Sequence, residues 1–284
     1  MLFRSYSFES PKVFDKLLLP ADSALRNAVQ ISNPLGEDFS IMRTVSLNGM
    51  LTSLAFNYNH RNKNVRLYEL GNIYLPRQVP VTELPDERMQ FTLGMYGEGD
   101  FFTMKGVVEE FFDKIGMDKK REYDPGAGKP FLHPGRQANI VYEGEVVGYL
   151  GEIHPQVADN YEIGEKAYVA VLDMPVITEK ATFDRKFEGI ARFPAVTRDI
   201  SMVVPREILA GQIEAVIAQR GGKILESYSL FDIYEGSQIK AGYKSMAYSI
   251  VFRAKDKTLE EAEITAAMKK ILNGLESMGI ELRQ

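Results

Sequence analysis

From residue 192 to residue 284 the hydrophobic period switches in one order: strand, helix, strand, strand, helix, short strand. Such a βαββαβ unit closes into a four-stranded sheet with both helices on one face, which leaves the other face free to bind something. The first strand is VTRDISMVV (196–204), with Ile200, Met202 and Val204 on one side and Asp199, Ser201 and Val203 on the other. Period two over a β-branched run predicts a strand, and Pro205 closes it. Helical spacing of Ile208, Ile213, Val216 and Ile217 predicts a helix over 208–220, stopped by Gly221-Gly222. A second strand covers 223–234 and turns at Glu235-Gly236-Ser237. A third covers 243–253, with Met246, Tyr248, Ile250 and Phe252 alternating against Ser245, Ala247, Ser249 and Arg253. Thr258, with Glu261 three residues on, has the pattern of a capping box for a helix reaching about Asn273. Residues 279–282 supply an edge strand. Phe231 and Ile233 read as core. Tyr234 ends its strand on the side opposite Phe231, and Arg198-Asp199 reads either as a local ion pair or as part of a binding surface.

Residues 1–190 give a different pattern, richer in strands. Residues 3–8 read as a strand, Ser10 as the cap of a short helix at Pro11, and 27–31 as a strand. Leu47, Leu51, Leu54, Ala55 and Tyr58 stripe a helix over 43–59. Strands are predicted at 65–75 and 89–96, with an acidic loop between them. Val107, Val108, Phe111, Phe112 and Ile115 mark an amphipathic helix over 104–115. Residues 136–142 and 146–153 form a hairpin about Glu143-Gly144, and 168–172 is a last strand. Hairpins dominate, so the sheet is predicted to be mainly antiparallel. The polar stretch 182–189 reads as a linker between domains 1–190 and 191–284.

Composition narrows the function classes. The chain has no cysteine, which removes disulfides, thiolate metal sites and a cysteine nucleophile. No apolar run is long enough to span a bilayer, and MLFRSYSFES lacks a secretory pattern, so the cytoplasm is expected. Residues 191–284 carry net charge +1 and residues 1–190 carry −6. A stand-alone nucleic-acid binder is usually more basic. A domain making one contact among many need not be.

Isolated motifs read blandly. Gly126-Ala127-Gly128-Lys129-Pro130 fails as a phosphate loop, because Pro130 stands where Ser or Thr is required. His60, His133 and His154 lack metal-ligand spacing and read as backbone-bonded structural residues, with His133, Arg136 and Glu152 as a polar cluster between hairpin strands. Glu109-Glu110 and Glu260-Glu261 are adjacent on helices and point apart. Gly97-Glu98-Gly99 reads as a turn. No catalytic set and no metal site is expected.

Larger blocks carry a resemblance. RFPAVTRDISMVV (192–204), SLFDIYEG (229–236) and GYKSMAYSIVFRAKDKTL (242–259) resemble the ferredoxin-fold anticodon-binding domain of phenylalanyl-tRNA synthetase β subunits. SNPLGEDFSIMRT (32–44), LYELGNIY (67–74), HPGRQANI (133–140) and GYLGEIHP (148–155) resemble the catalytic-like domain of the same subunits. The resemblance implies an α+β chain: a class II synthetase-like antiparallel sheet with flanking helices, then a βαββαβ ferredoxin-like domain. One departure is Asn48-Gly49, where the family has Pro-Gly, read as a change of helix start.

What the resemblance implies is a C-terminal fragment of a heterotetrameric α2β2 ligase. The α subunit would do the chemistry with ATP and Mg²⁺, and this fragment would be non-catalytic and hold no cofactor of its own. The chain agrees in lacking any Arg-x-Glu, the motif whose planar fork holds ATP in class II sites. The resemblance places Ser201, Tyr234, Lys244 and Ser245 on the anticodon of phenylalanine tRNA, with Tyr234 as a stacking face. The competing expectation is a protein-interaction or dimerisation module without RNA binding.

Overall fold

A computed structural model describes every residue except 118–120, 184–186, 188, 237 and 284. Much of the expected linker at 182–189, and Ser237 of the expected turn, therefore lie outside the described residues. The chain divides into two compact units, Met1–Arg185 and Lys186–Gln284.

Unit 1 opens with β1 (Phe8–Glu9), α1 (Val13–Lys16), β2 (Ile41–Met42) and α2 (Leu47–Asn59). There follow β3 (Val65–Leu75), β4 (Asp86–Tyr96), α3 (Phe101–Lys114), β5 (Arg121–Asp124), β6 (Leu132–Tyr142), β7 (Glu145–Ile153), α4 (Pro155–Asn160), β8 (Ala167–Asp173) and α5 (Met174–Lys180). Six strands form one sheet in the order β3-β4-β8-β7-β6-β5, antiparallel at every junction. β1 and β2 pair separately.

Helices cover both faces of this sheet, and β8 shows why. Its Val169 and Val171 pack with Leu47, Met50, Leu51 and Leu54 of α2. The alternate residues Tyr168, Ala170 and Leu172 pack with Met104, Val108 and Phe112 of α3 and Ile177 of α5. A strand buried on both sides needs an unbroken apolar run, which AYVAVL supplies. On β4, Gly94 lets α2 settle close. A β-carbon there would lie 2.7 Å from Met50 Cγ.

The short elements depart from the periodic reading. Of the expected strand 3–8 only Phe8, together with Glu9 beyond it, enters a ladder. Residues before it are pinned to the edge of β3, with Phe3 N–H donating to Tyr68 O at 3.1 Å and Ser5 N–H to Glu69 Oε1 at 2.6 Å. The expected strand 27–31 reduces to one bridge, Gln30 to Ile41. α1 begins at Val13, with Ser10 holding the preceding turn through its Oγ. α2 begins at Leu47, with residues 43–46 outside the helix and the buried Arg43 side chain reaching Asn72 O at 2.7 Å. β4 starts at Asp86, which pairs with Leu75, so the acidic loop is shorter than expected. α3 starts early because Asp100 and Thr103 close a capping box. β5, α4 and α5 are too short to show a period. α4 is capped by His154 Nδ1, which accepts from Gln156 N–H at 3.1 Å, with Pro155 at the first turn.

Unit 2 comprises β9 (Val196–Pro205), α6 (Ala210–Gly221), β10 (Leu225–Tyr234), β11 (Tyr243–Phe252), α7 (Glu261–Glu276) and β12 (Glu281–Leu282). The sheet order is β10-β11-β9-β12, antiparallel throughout. Ile200, Met202, Met246, Tyr248, Ile250 and Phe252 meet Ile213 and Ile217 of α6 and Ile264, Ala267, Ile271 and Leu275 of α7 in one core. This is the α+β ferredoxin-like arrangement the pattern predicts. The cap of α7 differs: Glu260, not Thr258, receives the capping box, closed by Glu263. Arg198 does not pair with Asp199. Its guanidinium holds both oxygens of Glu261, at 2.6 and 2.8 Å, at the start of α7. Among the described residues, no helix of the chain is long and apolar enough to cross a membrane.

Candidate nucleic-acid interface

Strand alternation in unit 2 sorts the sheet into two faces. The residues of β9 and β11 that alternate with the core turn away from both helices, and Thr197, Asp199 and Ser201 are exposed there. Register places Ser245 opposite Val203, Ala247 opposite Ser201 and Ser249 opposite Asp199. From β10 come Ser227, Ser229, Asp232 and Tyr234, opposite Val251, Ser249, Ala247 and Ser245.

Three of the four residues expected to bind RNA share this face. Tyr234 stands directly across from Ser245 and keeps 38% of its surface exposed. Its ring lies over Gly236, where a β-carbon would collide with it, so the glycine lets the ring fold back along its own turn. Ser201 is exposed and Ser245 is buried. Ser245 Oγ accepts from Arg283 Nη1 at 3.4 Å, and Arg283 N–H donates to Ser201 O at 2.8 Å.

Lys244 belongs elsewhere. It pairs with Val204 and has the parity of Met246, so it leaves on the helix side. Its ammonium donates to Ile208 O at 2.8 Å and to Arg206 O at 3.2 Å, where it ties down the loop into α6. A lysine bound to two carbonyls in this way is drawn off the open face.

Two further residues join the site. Asp232 falls on the open face because a β-bulge between Leu230 and Asp232 shifts the register by one residue. Arg283 is placed by the β12 pairing of Glu281 with Val203. The same bulge overturns the core reading of Phe231, which is 58% exposed. Ile233 is 49% exposed as well, because β10 is an edge strand.

The electrostatics are unusual for a surface meeting RNA. Asp199, Asp232 and Glu281 lie on this face, and Arg283 is the basic side chain beside Ser201 and Ser245. Three other arginines of the unit are held: Arg206 by Glu235 at 3.0 Å, Arg253 by Glu226 at 2.9 Å and Arg198 by Glu261. Hydroxyls and carboxylates can pair with base edges, since a carboxylate accepts from an exocyclic amino group.

Unit 1 holds polar groups of another kind. Arg43 and Glu69 are buried together at 3.5 Å, with Ser5 Oγ bonded to both. Glu9 is also buried. Its Oε2 accepts from Asn48 Nδ2 at 3.1 Å, while Asn48 Oδ1 accepts from Tyr161 Oη at 2.8 Å. Asn48, at the departure, thus bridges Glu9 and Tyr161. Burial pushes the Glu9 carboxyl up to about 7, against the smaller opposing pulls of Asn48 and Arg43. Beside Glu9 a groove of about 560 Å³ runs between β1, α1 and α2, walled by the exposed rings of Tyr6, Phe8 and Phe39. Arg136 and Glu152 pair at 3.0 Å, whereas His133 Nδ1 accepts from Gly135 N–H instead of joining them. Among the described residues no three His, Cys, Asp or Glu gather as metal ligands.

Comparison with known proteins bears on both units. A family model described as phenylalanyl tRNA synthetase beta chain CLM domain matches residues 3–174, and one described as ferredoxin-fold anticodon binding domain matches 191–283. The phenylalanine–tRNA ligase beta subunits of Clostridium acetobutylicum and Clostridium tetani are each 46% identical over 280 residues, covering 98% of this chain and 35% of theirs. That of Symbiobacterium thermophilum is 36% identical, over 98% of this chain and 32% of its own. The chain thus spans about a third of the length of these curated relatives.

Proposed function

The chain belongs to the phenylalanine–tRNA ligase β-subunit family, and from that premise we propose that its C-terminal sheet holds the anticodon loop of phenylalanine tRNA while a separate α subunit performs the ligation. The observation that carries this reading is the open face itself: Tyr234, Ser201, Ser245, Asp232 and Arg283 gathered on the side of the sheet that the helices leave uncovered. Tyr234 stacks on an unpaired base. Ser201, Ser245 and Asp232 meet base edges, and Arg283 meets a phosphate or a base acceptor. The reading divides the chain at 190/191 into a catalytic-like domain and an anticodon-binding domain.

Unit 1 serves as the platform for the α subunit in an α2β2 assembly in the cytoplasm. The groove walled by Tyr6, Phe8 and Phe39 supports this, since exposed aromatic walls are typical of docking surfaces. ATP and Mg²⁺ belong to the α subunit's chemistry, ATP as the substrate and Mg²⁺ as the metal cofactor.

The test is titration of the 284-residue chain with the anticodon stem-loop of phenylalanine tRNA and with a stem-loop whose anticodon bases are altered. Preference for the cognate loop, with binding weakened in Tyr234→Ala at an unchanged melting temperature, is the expected outcome. Equal weak binding to both loops would replace it with an interaction module that does not read RNA.

A further inference from the structure

Phe231 is the extra residue of the bulge in β10, between Leu230 opposite Tyr248 and Asp232 opposite Ala247. Counted back from Ile233, which stands opposite Met246, unbroken alternation would set Phe231 on the helix side. Instead its ring is 58% exposed and takes no part in the unit's core, which does include Tyr228 and Leu230. Bulges re-aim side chains next to functional sites, and this one directly precedes Asp232 and Tyr234. β10 is also an edge of the sheet, so no neighbouring strand covers its outer side. A phenylalanine presented there adds little to the fold and offers a bare aromatic surface.

We propose that Phe231 is a second stacking platform, holding a different unpaired base of the same RNA loop from the one on Tyr234. This rests on the reading of the open face as an RNA surface. Three residues along a strand span roughly 10 Å, whereas stacked neighbours in a nucleic-acid strand lie about 3.4 Å apart. Two rings so placed cannot share one continuous stack of two bases. They require a loop whose bases are splayed apart, which is how single-stranded RNA is read by aromatic side chains. Stacking accepts any base, so Phe231 contributes affinity and loop shape, and the base-edge groups beside Tyr234 contribute discrimination.

The experiment uses the 284-residue chain and anticodon stem-loops carrying 2-aminopurine at one loop position at a time. For Phe231→Ala the expected result is a dissociation constant raised about 5- to 150-fold, with fluorescence recovered at one loop position. Tyr234→Ala is expected to recover fluorescence at another. Phe231→Trp should bind like the parent. Phe231→Leu, which keeps apolar bulk without a ring, should weaken binding as alanine does. Phe231→Ala binding within twofold of the parent, while Tyr234→Ala weakens, would overturn the second platform and leave the RNA reading standing. Full binding by Phe231→Leu would overturn it as well, since contact without stacking would then suffice. If neither Ala variant changes affinity, the RNA reading of the face falls along with it.

Discussion

Glu9→Gln should abolish a pH dependence of stability that unit 1 owes to one side chain. Glu9 is almost fully buried. Its Oε2 has only the Asn48 amide, and among the described residues its Oε1 has no hydrogen-bond partner. Removing a carboxylate from water without pairing both oxygens favours the protonated form, so the folded-state pKa rises from 4.5 to about 7. The folded state then binds the extra proton between those two values. Glu9 therefore costs nothing below pH 4.5, costs progressively more as pH rises to 7, and costs a constant amount above that. At 1.36 kcal/mol per pKa unit the full cost is about 3 kcal/mol, or on the order of 6–12 °C in melting temperature for a unit of this size. Glutamine keeps the shape and the acceptor for Asn48 and cannot ionise. The assay is thermal melting of parent and variant across pH 4.5 to 8. The variant's advantage should be smallest at the acid end, grow through pH 6 and level off above 7. A difference independent of pH would refute the reasoning, whatever its size, because a purely steric or hydrogen-bond effect has no reason to titrate.

Because Arg283 is the basic residue beside the candidate site, the logarithm of stem-loop affinity should fall against log salt with a slope of about −0.7, one phosphate's worth. Arg283→Gln should flatten it, and a slope steeper than about −3 would show a phosphate-tracking surface instead. Lys244→Met should lower stability by about 1–3 kcal/mol, through the carbonyls it leaves unpaired at Arg206 and Ile208. It should leave the stem-loop dissociation constant unchanged, as measured by anisotropy beside urea unfolding. Gly236→Ala should displace the Tyr234 ring and reduce affinity with little change in melting temperature. Unchanged affinity would mean that the ring's resting place is irrelevant to binding.

The legible parts of the chain are those where burial imposes a period. β9 and β11 bury one face against two helices, so their alternation marks both the core and the open side. β8 buries both faces, so an unbroken apolar run suffices. Residues 1–46 follow no such rule. Their path is set by side-chain bonds across long separations, such as Ser5 to Glu69 and Arg43 to Asn72, which leave no periodic trace. The bulge at Phe231 is likewise silent, because an extra residue looks the same in a sequence as a strand continuing. Lys244 is a different case. Its parity with Met246 assigns it to the helix side by alternation alone, and only the family resemblance placed it with the RNA-binding residues. Arg283 and Asp232 were not visible as site residues. One depends on the register of a two-residue strand and the other on the bulge.

The distribution of charge argues for how such a surface would work. In unit 2 the arginines that border the sheet are largely neutralised within the fold: Arg198 at the head of α7, Arg253 against Glu226, Arg206 against Glu235. What remains on the open face is hydroxyls, carboxylates and aromatic rings, with Arg283 as the basic side chain among them. A surface of this kind gains little from the phosphate backbone, and its carboxylates repel any strand that does not present a base donor to them. Weak electrostatic attraction lowers affinity for every RNA alike. The energy that remains comes from contacts only an unpaired loop with suitable base edges can make. Discrimination then comes at the expense of affinity, a trade that would suit the proposed tethering to a larger enzyme, whose other parts would raise the local concentration of the tRNA.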